Sequence, residues 1–326
     1  MAMAKILRLL TLGVTCLMAL SGAASAQEKP PGATAAQPRS AAELGNLAEK
    51  LELTLKAAED RGDKKAVIKE LLNLGQVQAE MGNQSRALAS IEMAKRLASD
   101  LGDKELKLAS LAALAKSEAD SGDMAQAIQT QKEAVDLSKE ATDAKGQVAA
   151  MNALAKLYLK SGEPDKALAQ LNRALQMANT TNDEAGQREA LTAIATVYAQ
   201  RKDHARALSY NETALELYRK VGDGEGMWRS MAGIADAKAA LGKPDEALAS
   251  YTEATKVIEA QAAQRTGTGR PDPQAADKAA VYDKAIQLLR QSQKEGEAAA
   301  YTERAKNLGY AQVPSAAAAV AAVAKT

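Results

Sequence analysis

One histidine, His204, and one cysteine, Cys16, are the chain's whole supply of the side chains that most often act as bases, nucleophiles or soft metal ligands near neutral pH. A lone histidine builds no multi-histidine metal site, Cys16 lies in an apolar N-terminal run that reads as a cleaved signal and so leaves no Cys–His pair in the mature chain, and only His204 is left for a Ser-His-Asp triad. His204 falls at the start of a helical stretch, where it reads as an ordinary surface histidine. Gly267-Thr268-Gly269 is not a phosphate loop, because no Lys-Ser/Thr follows it and no strand precedes it. Paired-carboxylate chemistry is formally open to a chain with 41 Asp and Glu. Most of those carboxylates, however, sit where helix caps and solvated helix faces are expected. The reading is of a non-enzyme with no catalytic residues, no metal and no cofactor.

Binding chemistry is better supplied. Lys116, Asn152 and Lys156 fall on one helical register and would hold a carboxylate or an acidic stretch by charge-assisted hydrogen bonds. A solvated polar face explains the same residues equally simply. Trp228, the only tryptophan, reads either as an anchor for a partner or as packing between neighbouring structural units.

The elements that position these residues announce themselves as a repeat. Asp63, Asp103, Asp143, Asp183 and Asp223 stand forty residues apart. Ala87, Ala127, Ala167, Ala207 and Ala247 keep the same step, as do Gly82, Gly122, Gly162 and Gly242, with Lys202 in the fourth copy. Each period holds two amphipathic helical stretches. In the third copy Met151, Leu154, Ala155 and Tyr158 form one apolar stripe, and Leu168, Leu171, Ala174 and Leu175 form the next. Gly62, Gly102, Asn182 and Gly222 sit where a helix would end in a left-handed residue, and the Asp after each would cap the next helix. Pro164 and Pro244 fall at the first position of a second helix, with His204 in the same slot.

The composition agrees with close-packed helices. There is no Phe, only eight Tyr, and hydrophobic residues reach 46% largely through alanine, the best helix former. The first residues read as an export signal: Lys5 and Arg8, an apolar run over residues 9–20, then Ala24-Ser25-Ala26, with cleavage after Ala26. The run is shorter than the roughly 20 residues that span a bilayer. The mature chain is therefore expected to have no transmembrane segment and to be periplasmic or secreted. Lipid attachment at Cys16 is disfavoured by Gly13-Val14-Thr15 before it. Removing residues 1–26 takes away two basic residues and no acidic ones. That leaves 40 basic against 41 acidic and a net charge of −1, with no overall attraction for nucleic acid.

The order small residue, Tyr, glycine turn, Ala-Leu, second Ala resembles the tetratricopeptide repeat. The third copy carries it as Leu154-Ala155, Tyr158, Gly162, Ala167-Leu168 and Ala174, and the fourth as Ile194-Ala195, Tyr198, Ala207-Leu208 and Ala214. Copies one, two and five place Gln78, Glu118 and Lys238 at the tyrosine position. The forty-residue step and the Asp-x-x-Gly starts at Asp143, Asp183 and Asp223 resemble a longer subclass of that family.

The resemblance implies an all-α fold, a right-handed α-solenoid of antiparallel helix pairs. It implies five clear repeats and degenerate capping helices, in which the first helix of each pair lines a concave groove. The expected organisation is a signal peptide over 1–26, a flexible leader over 27–42 and a repeat array with an N-terminal capping helix over 43–262. A loop over 263–274, a degenerate C-terminal repeat over 275–310 and a disordered Ala-rich tail over 311–326 follow.

Groove-facing positions carried over from the family are Lys69, Gln76, Lys116, Asn152, Lys156, Lys160, Thr192, Thr196, Arg229 and Asp236. They imply a protein or peptide partner held in the groove. The Lys-Asn-Arg clamp that some members use for a terminal carboxylate is missing, since Leu72, Gln76 and Ala113 stand there. The functional expectation is a non-enzymatic interaction scaffold of the bacterial cell envelope. The alternatives are a self-assembling structural protein, or an accessory that senses a small ligand or cell-wall fragment.

Overall fold

The computed structural model describes residues 40–265, 272 and 274–310, and within them it contains thirteen α-helices and no strand. The expected signal peptide, most of the leader and the Ala-rich tail lie outside the described residues. Among the described residues no helix is long and apolar enough to cross a membrane.

Helix α1 (Ala41–Asp60) precedes five pairs. The pairs are α2 (Lys64–Glu80) with α3 (Gln84–Leu101), α4 (Lys104–Asp120) with α5 (Met124–Glu140), and α6 (Ala144–Lys160) with α7 (Pro164–Thr180). Then come α8 (Glu184–Gln200) with α9 (His204–Val221), and α10 (Gly224–Ala240) with α11 (Pro244–Arg265). A final hairpin, α12 (Ala275–Gln291) and α13 (Glu295–Asn307), packs onto α11. We call the first helix of each pair A and the second B.

Two boundaries differ from the sequence reading. Ser40 and Glu43 form a reciprocal capping box, so α1 begins at Ala41, inside the expected leader. At the other end α11 runs to Arg265, three residues into the expected loop, because nothing before Arg265 breaks the helix.

The repeating Asp closes one helix and opens the next. The backbone N–H of Asp63, Asp103, Asp143, Asp183 and Asp223 donates to the carbonyl five residues back, at 2.9–3.1 Å, which ties off the preceding helix. The carboxylate of the same residue accepts from the N–H three residues on, at 2.9–3.1 Å, which starts the following helix. Asp123 and Asp203 cap α5 and α9 in the same way. The residue before each cap must be left-handed. Glycine supplies this at Gly62, Gly102 and Gly222, while Thr142 (φ 56°), Asn182 (φ 52°) and Lys202 (φ 61°) adopt it without glycine's freedom.

Alanine sets the spacing between helices. Ala87, Ala127, Ala167, Ala207 and Ala247 are 0–1% exposed, and so are Ala94, Ala134, Ala174, Ala214 and Ala254. With only a methyl at these points, A and B axes approach closely, and the leucines and isoleucines beside them fill the layer between pairs. Five of the nine aromatic residues gather at the C-terminal end. Trp228, Tyr251, Tyr282, Tyr301 and Tyr310 form one core cluster with Ile258 and Leu289. Trp228 is 3% exposed there, so its role is packing.

Candidate partner-binding groove

Each helix packs on the next, and some A helices also touch the A helix of the following pair: α2 on α4, α6 on α8, α8 on α10. No two B helices are in comparable contact among the described residues. Helices on the inside of a bend lie closer than those outside, so the A helices form the inner face.

Across α6, α8 and α10 this face holds a depression of about 490 Å³. Its floor is Leu159, Ala193, Gly226 and the ring of Tyr218 from α9, and its rim carries Lys156, Lys160, Glu189, Glu225 and Arg229. Small residues make the space. A Cβ on Gly226 would stand 2.0 Å from the Tyr218 ring, so the ring lies flat against the first turn of α10. The Arg188 guanidinium covers the same ring at 5.7 Å from its centroid, and the Tyr218 hydroxyl meets the Thr192 hydroxyl at 3.2 Å.

Five of the ten residues expected in the groove meet here: Lys156, Lys160, Thr192, Thr196 and Arg229. Their electrostatics are largely settled within the chain. Lys156 pairs with Glu189 of the next A helix. Arg229 lies 3.4 Å from both Glu225 and Asp277, the latter on α12. Lys160 is the rim cation with no ion-pair partner among the described residues. Thr192 and Thr196 donate to carbonyls one turn back, at 2.8 and 3.0 Å.

The other five lie elsewhere. Asn152 is a correction: it is 0% exposed, so it has no surface to offer a partner. Its amide instead ties α6 to α8, with Nδ2 donating to the Gly186 carbonyl at 3.3 Å and to Glu189 at 3.4 Å. The small Gly186 lets the two helices close over it. The expected trio of Lys116, Asn152 and Lys156 is therefore not a shared anion site. Lys116 is bound to Asp120 of its own helix at 2.8 Å, and Lys156 to Glu189. Gln76 donates to Glu80 at 3.1 Å on α2, Lys69 is exposed on the same helix, and Asp236 accepts from Lys284 of α12 at 2.7 Å and from the Tyr251 hydroxyl.

Sequence reasoning missed Tyr218, because it sits on a B helix. A signal was present. Tyr218 stands where α1 and the three preceding copies have Ala58, Ala98, Ser138 and Ala178, with Ile258 in the fifth, so a large ring follows four small residues, and Gly226 supplies the room eight residues later. His204 is half-buried at the start of α9, away from the depression. Among the described residues no group of His, Cys, Asp and Glu has the arrangement to hold a metal.

A tetratricopeptide-repeat family model matches residues 106–180 and 187–260, and one for anaphase-promoting complex subunit 5 matches residues 57–112. Among curated proteins, none matches. Solved structures resemble the chain at low identity. BtubC (BKLC) from P. vanneervenii is 18% identical with a TM-score of 0.61, over 67% of this chain and 92% of that one. The signal-transduction ATPase with a tetratricopeptide repeat sensor from Pyrococcus horikoshii is 16% identical with a TM-score of 0.66, over 82% of this chain and 40% of that one. The apo form of RapI is 15% identical with a TM-score of 0.55, over 75% and 93%. The chain carries tetratricopeptide repeats, and these structures share its fold.

Proposed function

We propose that this tetratricopeptide-repeat chain is a non-enzymatic scaffold that holds a segment of a partner protein on its A-helix face. The observation that carries the reading is the depression across α6, α8 and α10, which five residues of the expected groove line. Its small, apolar floor admits a backbone or a small side chain at close range. Its rim charges are mostly paired within the chain, so few of them require a counter-charge from the partner. Lys160 is the rim group left to receive an acidic residue of the occupant.

The same reading places the scaffold in the bacterial cell envelope, on the strength of Lys5, Arg8, the apolar run over residues 9–20 and Ala24-Ser25-Ala26. A mature N-terminus at Gln27, found by mass spectrometry of the exported protein, is the expected result. An N-terminus at Met1 argues against export.

The groove is tested with a photo-crosslinking side chain at Thr196, against a control at the exposed Arg96 on α3, which lines neither this depression nor the one between α5 and α7. Crosslinking of one partner from Thr196, lost when Thr192→Trp fills the depression, supports the reading. Equal crosslinking from both positions, or capture unchanged by Thr192→Trp in a chain that keeps its helical circular dichroism, overturns it.

A further inference from the structure

The outer, B-helix face has its own depression, about 460 Å³, between α5 and α7 with α6 as its floor. Two methionines line it. Met151 stands where three other copies have Leu71, Leu111 and Leu191 and the fifth has Met231, and Met177 where three have Leu97, Leu137 and Leu217 and the fifth has Val257. The third copy is the one with Met at both positions. Methionine is the side chain that adapts to an incoming surface, and here it replaces the leucines that suffice for packing within the stack.

The charges around this depression differ in kind from those of the groove. Asp136 and Lys139 on α5 and Arg173 on α7 are exposed, and among the described residues no ion pair or side-chain hydrogen bond involves any of them. A surface that carries an acid on one helix and a base on the neighbouring helix, both unsatisfied, complements itself. Turned by a two-fold axis, it sets Arg173 of each copy against Asp136 of the other. The shape agrees: α5 and α7 pack far less closely than consecutive helices do, so α7 of one copy fits as a ridge into the depression between α5 and α7 of the second, and the symmetry repeats the contact.

We infer that this chain forms a two-fold dimer through its B-helix face at repeats two and three, with Met151 and Met177 beneath the joint and two Arg173–Asp136 pairs across it. The A-helix grooves of both copies stay open, so the dimer presents two binding sites, and a partner with two matching segments gains in avidity.

Sedimentation equilibrium on residues 27–326 tests this. The expected result is a concentration-dependent dimer. Asp136→Arg alone and Arg173→Asp alone each raise the dissociation constant at least about tenfold. The double exchange Asp136→Arg/Arg173→Asp returns it to near the starting value, because each two-fold contact is regenerated with the charges swapped. Both positions are exposed and unpaired, so the thermal melt of each variant should match the parent; a variant that melts early is replaced by Arg173→Gln and Asp136→Asn, expected to weaken the dimer less. A chain that stays monomeric to about 100 μM overturns the inference. So does a dimer indifferent to both reversals, or one that the double exchange fails to restore. A monomer that instead captures a different protein through this face also overturns it.

Discussion

Repeats three and four fill the slot between their A and B helices with tyrosine, whereas repeats one, two and five fill the same slot with a polar side chain. Tyr158 lies in an apolar cluster with Leu154, Leu171 and Ile194, and Lys166 covers its ring at 5.6 Å. Tyr198 stacks on Tyr210 twelve residues later, with centroids 5.5 Å apart. In the polar copies the partner twelve residues on is a hydroxyl. Gln78 accepts from Ser90 at 2.9 Å, Lys238 lies 3.5 Å from Ser250, and Thr130 sits beside Glu118. One backbone geometry thus accepts aromatic packing or a hydrogen bond; in repeat four the residue twelve positions on changes to match, whereas in repeat three it is Gln170 and Lys166 covers the ring instead. Repeat two satisfies the slot least. Glu118 is 8% exposed and its Oε2 has no partner, and burial pushes its carboxyl above the ordinary value.

The contrast can be broken most forcefully at Tyr158. Tyr158→Ala should cost about 3–4 kcal/mol, as other large-to-small aromatic changes in cores do. Urea unfolding followed by circular dichroism should show the loss; a change below about 1 kcal/mol would mean that the aromatic slot contributes no more than the polar ones. Next in size is Ser90→Ala, which leaves the buried Gln78 carbonyl without its donor and should cost about 1–3 kcal/mol in the same measurement. If Ser90→Ala is silent, water or a neighbour has replaced the hydroxyl.

Glu118→Gln sharpens the comparison in the other direction, since it rebuilds in repeat two the amide–hydroxyl pair of repeat one. It should stabilise the chain by about 1 kcal/mol at neutral pH. The sign follows from linkage: the folded carboxyl titrates above its unfolded value of 4.5, so the neutral form's stability is present below pH 4.5 and lost as pH rises through the folded value. The advantage of Glu118→Gln should therefore vanish in acid and grow toward neutrality. Parallel melting curves of the two proteins across that range would contradict the assignment.

The smallest expected effect is at the turns. Lys202→Gly removes a positive-φ lysine from the slot that Gly82, Gly122, Gly162 and Gly242 fill elsewhere. It should raise stability by about 0.5–1 kcal/mol, once glycine's extra freedom in the unfolded chain is set against the relieved backbone. A lower melting temperature would show that Lys202 contributes a contact that outweighs its backbone.

How much was legible in the sequence depends on the range of the interaction. The Asp caps, left-handed turns and first-turn prolines act over three to six residues, so Asp143, Asn182 and Pro164 could be assigned from their neighbours alone. The forty-residue period then fixed the number and order of the helices, because every copy needs the same small residues where its helices cross.

The composition of the depression was decided elsewhere. Lys156 and Glu189 are 33 residues apart, Asn152 and Gly186 are 34 apart, and Arg229 reaches Asp277 across 48. Whether such residues meet depends on how each repeat is rotated against the next. That rotation is set by the summed packing of Ala, Gly and ring side chains between repeats, and no single spacing encodes it. Thus the sequence alone determined that the chain is a stack of capped helix pairs with an inner face rich in small residues. Only the tertiary structure decided that Asn152 is sealed between two repeats and that Tyr218 floors the depression. It also decided which charges, by pairing across repeats, are left free to meet a partner.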